Sequence, residues 1–124
     1  MEREHLKELR PLIPEAFTEQ ALEIEAFQNA VLRPVIKFQH ELICAHVSGW
    51  AHFSDLKLNK GPRNEFQLKV RHFISKQADL KNQLIGFIAG MLTLEEYTFY
   101  LFHHQELNKR IVGMISQRVS DTYY

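Results

Sequence analysis

Seven of the 124 residues are histidines, and imidazole is both a common metal ligand and an acid–base group that titrates near neutral pH. His40 and Cys44 stand four apart, so on a helix they project from one face and could share a soft metal such as zinc. A zinc site needs three or four ligands, and His46 lies about 200° around the helix from Cys44. The missing ligands would have to come from His72, His103 or His104 on other helices, and no paired motif supplies them. Glu2 and His5 give a single Glu-x-x-His spacing where a carboxylate-bridged di-iron bundle needs two. Cys44, the one cysteine, sits between Ile43 and Ala45, which favours a buried, inert thiol over a nucleophile. No glycine-rich phosphate loop, Gly-x-Ser-x-Gly elbow or His-Glu-x-x-His motif is present. The sequence therefore assigns no catalytic residue, no metal and no cofactor.

Polar residues on an apolar stripe are the stronger signal. Leu94, Tyr97, Leu101, His104, Asn108, Ile111 and Ile115 recur at helical spacing, and a second stripe runs through Tyr100, His104, Leu107 and Ile111. An unpaired imidazole or amide inside a helical bundle costs on the order of 1–3 kcal/mol, so His104 and Asn108 are expected to be partnered. With Tyr100 they form the candidate buried polar set, which either fixes helix register or lines a pocket.

The elements that must position these residues follow from periodicity. Residues 1–17 read as an arm, because Pro11 and Pro14 hold Leu12 and Ile13 extended. Thr18 is a plausible N-cap for a helix over 18–56 whose apolar positions include Ile24, Phe27, Val31, Val35, Phe38 and Leu42. Pro34 interrupts that run and predicts a kink or short break near Leu32-Arg33. Asn59-Lys60-Gly61-Pro62 is the clearest loop. A second helix over 62–92 carries Phe66, Val70, Phe73, Gln77, Leu80, Leu84, Phe87 and Met91, and would be roughly 45 Å long if unbroken. Gly86 and Gly90 within it suggest a close backbone neighbour or a groove. Thr93-Leu94-Glu95-Glu96 fits a capping box that opens a third helix over 94–120.

The predicted fold is thus all-α: one domain, an up-and-down bundle of three long helices with a proline-containing N-terminal arm. Nine phenylalanines and wide stripes leave apolar surface over, which points to a homodimer. Trp50, Phe53, Phe99 and Phe102 are the candidate interface. A formal net charge of zero gives no long-range field to gather nucleic acid or an anionic membrane. The charged first residues, and an apolar run of only about 11 residues where a membrane span needs about 20, predict a soluble, cytoplasmic chain.

Four blocks carry a resemblance. Leu-Arg-Pro-Leu-Ile-Pro (9–14), Phe-Gln-Asn-Ala-Val-Leu-Arg-Pro-Val-Ile-Lys-Phe-Gln (27–39), Gly-Phe-Ile-Ala-Gly-Met-Leu-Thr-Leu-Glu-Glu-Tyr (86–97) and Leu-Asn-Lys-Arg-Ile (107–111) look like a family of small bacterial proteins of uncharacterised function. Some of its members bear the name glyoxalase. The resemblance implies a bacterial setting and boundaries near residues 9 and 119, and it carries over no mechanism. Glyoxalase I-type enzymes hold their metal on strands, and no two-residue alternation of such strands occurs in this chain. Taken together, the residues predict a non-enzymatic helical protein acting through self-association and a protein partner. The alternative is a small-molecule- or metal-binding bundle with His104 and Asn108 in its pocket.

Overall fold

The computed structural model describes Arg3 and residues 22–124. The expected arm over 1–17, apart from Arg3, and the Thr18 cap lie outside the described residues. The rest is all-α, with no strand among the described residues. The helices are α1 (Glu23–Phe27), α2 (Arg33–Phe38), α3 (His40–Ser48), α4 (Phe53–Leu58), α5 (Arg63–Lys76), α6 (Ala78–Ala89), α7 (Leu94–Phe102) and α8 (His104–Tyr123). The predicted three long rods are therefore corrected to a set of shorter segments.

The departures have physical causes. Between α1 and α2 the backbone stays helical but widens into a π-helical turn over Gln28–Leu32, where the Arg33 N–H reaches back to the Gln28 carbonyl. Pro34 has no N–H to give, and in an ordinary helix its ring would press on the carbonyl four residues back. The widened turn absorbs that conflict, so the irregularity expected near Leu32-Arg33 takes the form of a π-helical turn, after which α2 opens with Pro34 in its first turn. Gln39 and the Gly49–His52 turn then divide the first predicted rod into three directions, His52 taking a left-handed φ of 71°.

The second rod breaks at Gln77, whose φ of −106° and ψ of 95° are extended. Upstream, α5 buries Phe66, Val70 and Ile74; downstream, α6 buries Leu80, Leu84, Ile85 and Ile88. In one continuous helix Ile74 and Leu80 would point about 120° apart. Redirecting the chain at Gln77 lets both enter the same core, and α6 then packs against α3, α5 and α8. The Gln77 side chain also accepts a hydrogen bond from the Trp50 indole N–H at 3.0 Å, so the hinge is tied to the α3–α4 turn.

The threonine at the next junction does what its spacing predicts. Thr93 Oγ1 accepts from the Glu96 amide at 3.2 Å, and the Thr93 amide donates to the Glu96 carboxylate at 2.9 Å. These bonds satisfy exposed N–H groups at the start of α7. Arg3 donates to the carbonyls of Gly90 and Leu92 just before that cap.

The twenty-residue α8 is the axis of the bundle. It buries Leu107, Ile111, Val112, Ile115 and Val119 and contacts α2, α3, α5, α6 and α7. On its α5 side Gly113 faces the Arg71 guanidinium, and Ser116 and Ser120 continue that side at steps of three and four. Small residues there let the two helices come close, although the buried Ser116 and Ser120 hydroxyls have no hydrogen-bond partner among the described residues. No described helix is long and apolar enough to cross a membrane.

The close neighbour expected at Gly86 is absent among the described residues: a Cβ built there meets none of their atoms within 4 Å. Gly86 thus costs α6 helix propensity without any packing return. Gly86→Ala should stabilise the fold by about 0.5–1 kcal/mol. A higher urea midpoint with an unchanged m-value is the expected reading, and a lower midpoint would show a hidden steric demand.

Candidate functional site

Tyr100 closes α7 onto α8. It is 7% exposed, and its hydroxyl donates to Asn108 Oδ1 at 2.5 Å. This is the polar pairing that the apolar stripe demanded of Asn108. Burial raises the Tyr100 phenol above the ordinary tyrosine value, and the Asn108 hydrogen bond acts against that shift.

His104 does not join them inside. It is exposed, and its Nδ1 lies 3.0 Å from the Leu101 carbonyl, to which it donates as an N–H. The reason is a break in helix phase: His103 has φ −122° and ψ 25°, so α8 restarts at His104 and the stripe drawn through α7 does not continue across the junction. The buried position passes instead to Leu107.

His104 and Asn108 nevertheless share a surface cleft of about 420 Å³ between α5, α6 and α8. Arg71, Lys81 and Lys109 bring positive charge to its walls, Asn82 and Gln105 bring amides, and Ile85 and Val112 form an apolar floor. Among the described residues no carboxylate lines it. Arg71, Lys81 and Lys109 are not among the candidate site residues that the sequence offers. These three residues lie on three different helices, and no spacing along the chain signals their convergence.

A second cleft, of about 490 Å³, lies where α2 and α3 face α8 and holds His40 and Arg118. The His40 ring is 3.7 Å (Nε2) from Cys44 Sγ, so the shared face read from their spacing exists. Its other neighbours are Arg118, donating to Nδ1 at 3.2 Å, and the Thr122 hydroxyl at 3.5 Å. Arg118 thus puts a positive charge against the His40 ring, which opposes a metal cation there. Among the described residues no three His, Cys, Asp or Glu side chains come together to hold a metal. Burial pushes the Cys44 thiol up, while the Thr122 hydrogen bond and the Arg118 charge act in the other direction. A thiol so held is a poor nucleophile.

The four aromatics singled out for an interface have separate fates. Phe53 is fully buried, edge-on to Phe73 and Tyr123. Trp50 is half-buried, bonded to Gln77 and next to His46. Phe99 stacks on Phe27 at 4.7 Å between centroids, which fastens α7 to α1. Phe102 is 85% exposed. Phe53 is thus corrected from a surface position to the core, because the turn after α3 swings α4 back over α5. The exposed apolar residues that accompany Phe102 are Leu94, Tyr97 and Leu101, which sequence reasoning had placed on an inward stripe.

No family model, curated protein or solved structure matches the chain.

Two outcomes follow from this geometry. Tyr100→Phe removes the donor to Asn108 and should cost about 1 kcal/mol at neutral pH. Because the folded-state value is raised, the wild-type advantage is complete below the ordinary tyrosine range near 10 and is lost as pH rises through the raised value. Denaturation curves of the two proteins at pH 7 and above pH 10 should converge at the alkaline end; a constant gap would disprove the role given to the phenol. Cys44, in turn, should react with a thiol reagent many times more slowly in native protein than in denaturant. Equal rates would show that the thiol is open.

Proposed function

We propose that the protein acts by association rather than catalysis, and that its contact surface is the outer face of α7. The observation that carries this reading is that α7 exposes large apolar side chains on its outer face, among Glu95 and Thr98, as well as burying them on its inner one. Tyr100 and Phe99 face inward, while Leu94 is 71%, Tyr97 39%, Leu101 51% and Phe102 85% exposed. A surface helix ordinarily presents polar residues outward, and α7 presents four large apolar ones beside Glu95 and Thr98. In a nine-residue helix, four large apolar side chains turned to water are a concentration of the kind that marks an interaction site.

A second copy of the chain is the partner proposed. A formal net charge of zero means that two copies meet without net repulsion. A two-fold axis across α7 would lay its outer stripe on the same stripe of the other copy. Each large side chain fully buried contributes about 1.5–3 kcal/mol, and association costs on the order of 4–15 kcal/mol. A patch of this size therefore supports a dimer of micromolar rather than nanomolar affinity.

Sedimentation velocity across a concentration series should show the weight-average mass rising toward twice 14.6 kDa. Leu101→Lys with Phe102→Lys should hold the protein monomeric over the same range, with unchanged circular dichroism. Wild-type protein that stays monomeric at several hundred micromolar would refute self-association.

A further inference from the structure

A different surface carries an independent inference. We infer that the cleft between α5, α6 and α8 binds a small, soluble phosphomonoester. The argument does not depend on the α7 face.

Charge comes first. Among the described residues every ionic side chain lining the cleft is positive when charged: Arg71 on α5, Lys81 on α6, and Lys109 and His104 on α8. None of the three permanent cations makes an ion pair among the described residues, whereas Arg63 pairs with Asp121 and Arg110 with Glu106 elsewhere on α8. Three like charges around one concavity repel one another, and the low-dielectric walls strengthen the field between them. A dianion placed there converts that repulsion into attraction.

Directionality comes second. Asn108 Oδ1 is occupied by the Tyr100 hydroxyl, so the amide NH2 is the part of Asn108 left to face a ligand. This donor is held in place by a buried phenol. Asn82 and Gln105 add further amides, and Ser75 a hydroxyl. His104 spends its Nδ1–H on the Leu101 carbonyl, so the directional donors of the cleft are the amides and the hydroxyl.

Shape decides among anions. Donors arriving from three separate helices suit a group with several oxygens arranged tetrahedrally, as in a phosphate, better than a planar carboxylate, which a two-pronged contact satisfies. The buried Ile85 and Val112 offer an apolar seat for the organic part. A volume of about 420 Å³ fits a small molecule, and a neutral chain lacks the extended field that a polyanion requires.

The probes are inorganic phosphate and phenyl phosphate, with sodium acetate and neutral phenol as controls, followed by calorimetry and by NMR of the side-chain amides. The expected result is saturable one-to-one binding of both phosphates, tighter for phenyl phosphate, with Asn82, Gln105 and Asn108 amide signals moving together and the controls silent. Lys81→Ala and Lys109→Ala should each weaken phenyl phosphate roughly tenfold, and Lys76→Ala, outside the cleft, should leave it unchanged. Should Lys81→Ala misfold, the exposed Lys109 carries the test alone. No saturation at millimolar concentrations, or equal affinity in Lys109→Ala, would overturn the proposal. So would co-sedimentation with phosphatidate vesicles while soluble phosphates leave the amide signals in place, because the site would then read a lipid surface.

Discussion

The whole arrangement hangs on the burial of α8. A twenty-residue helix that places Leu107, Ile111, Val112, Ile115 and Val119 out of water needs apolar neighbours on more than one side. No single antiparallel rod can supply them. The remaining segments are accordingly short and differently directed, each laying its own apolar stripe against the same axis. Small residues at Gly113, Ser116 and Ser120 admit α5 most closely. The two serine hydroxyls, unpaired among the described residues, are the cost of that approach, on the order of 1–3 kcal/mol each, and the packing along α5 offsets it.

The breaks that serve this constraint also make the surface features. The turn at Gln77 separates α5 from α6 and opens the wedge whose third wall is α8. Arg71, Lys81 and Lys109 meet there because the chain changes direction, not because it is rich in cations. The step at His103 similarly sets α7 across the end of α8. Phe99 and Tyr100 anchor its inner side to Phe27 and Asn108, and the opposite side is left with Leu94, Leu101 and Phe102 in water. One geometric fact, a central helix wrapped by short ones, thus accounts for both the apolar face and the cationic cleft.

The polar contacts within the bundle act mainly as registers. The Trp50–Gln77 bond ties a hinge to a turn, the Tyr100–Asn108 bond fixes α7 on α8, and the Tyr123 hydroxyl reaches the Cys44 carbonyl at 3.2 Å. Each is directional where apolar packing is not, so each selects one alignment among several that bury similar area. The cluster of Arg118, His40, Thr122 and Cys44 belongs to the same class, joining α3 to the far end of α8.

The helical period, the absence of strand-like alternation, the Thr93–Glu96 cap and the need of Asn108 for a partner were all legible in the residues themselves, because each depends on neighbours within about four positions along the chain. The inward places of Leu80, Leu84 and Ile111 were legible for the same reason. What remained hidden were the bend at Gln77, the π-helical form of the irregularity before Pro34, the inward place of Phe53 and the outward place of His104. An uninterrupted period of threes and fours fits one rod or two equally well, and only competition among segments for the surface of α8 chooses between them. The cationic cleft is the extreme case: its residues are ordinary solvent-facing side chains on three helices, and their chemistry arises only when folding sets them around one hollow.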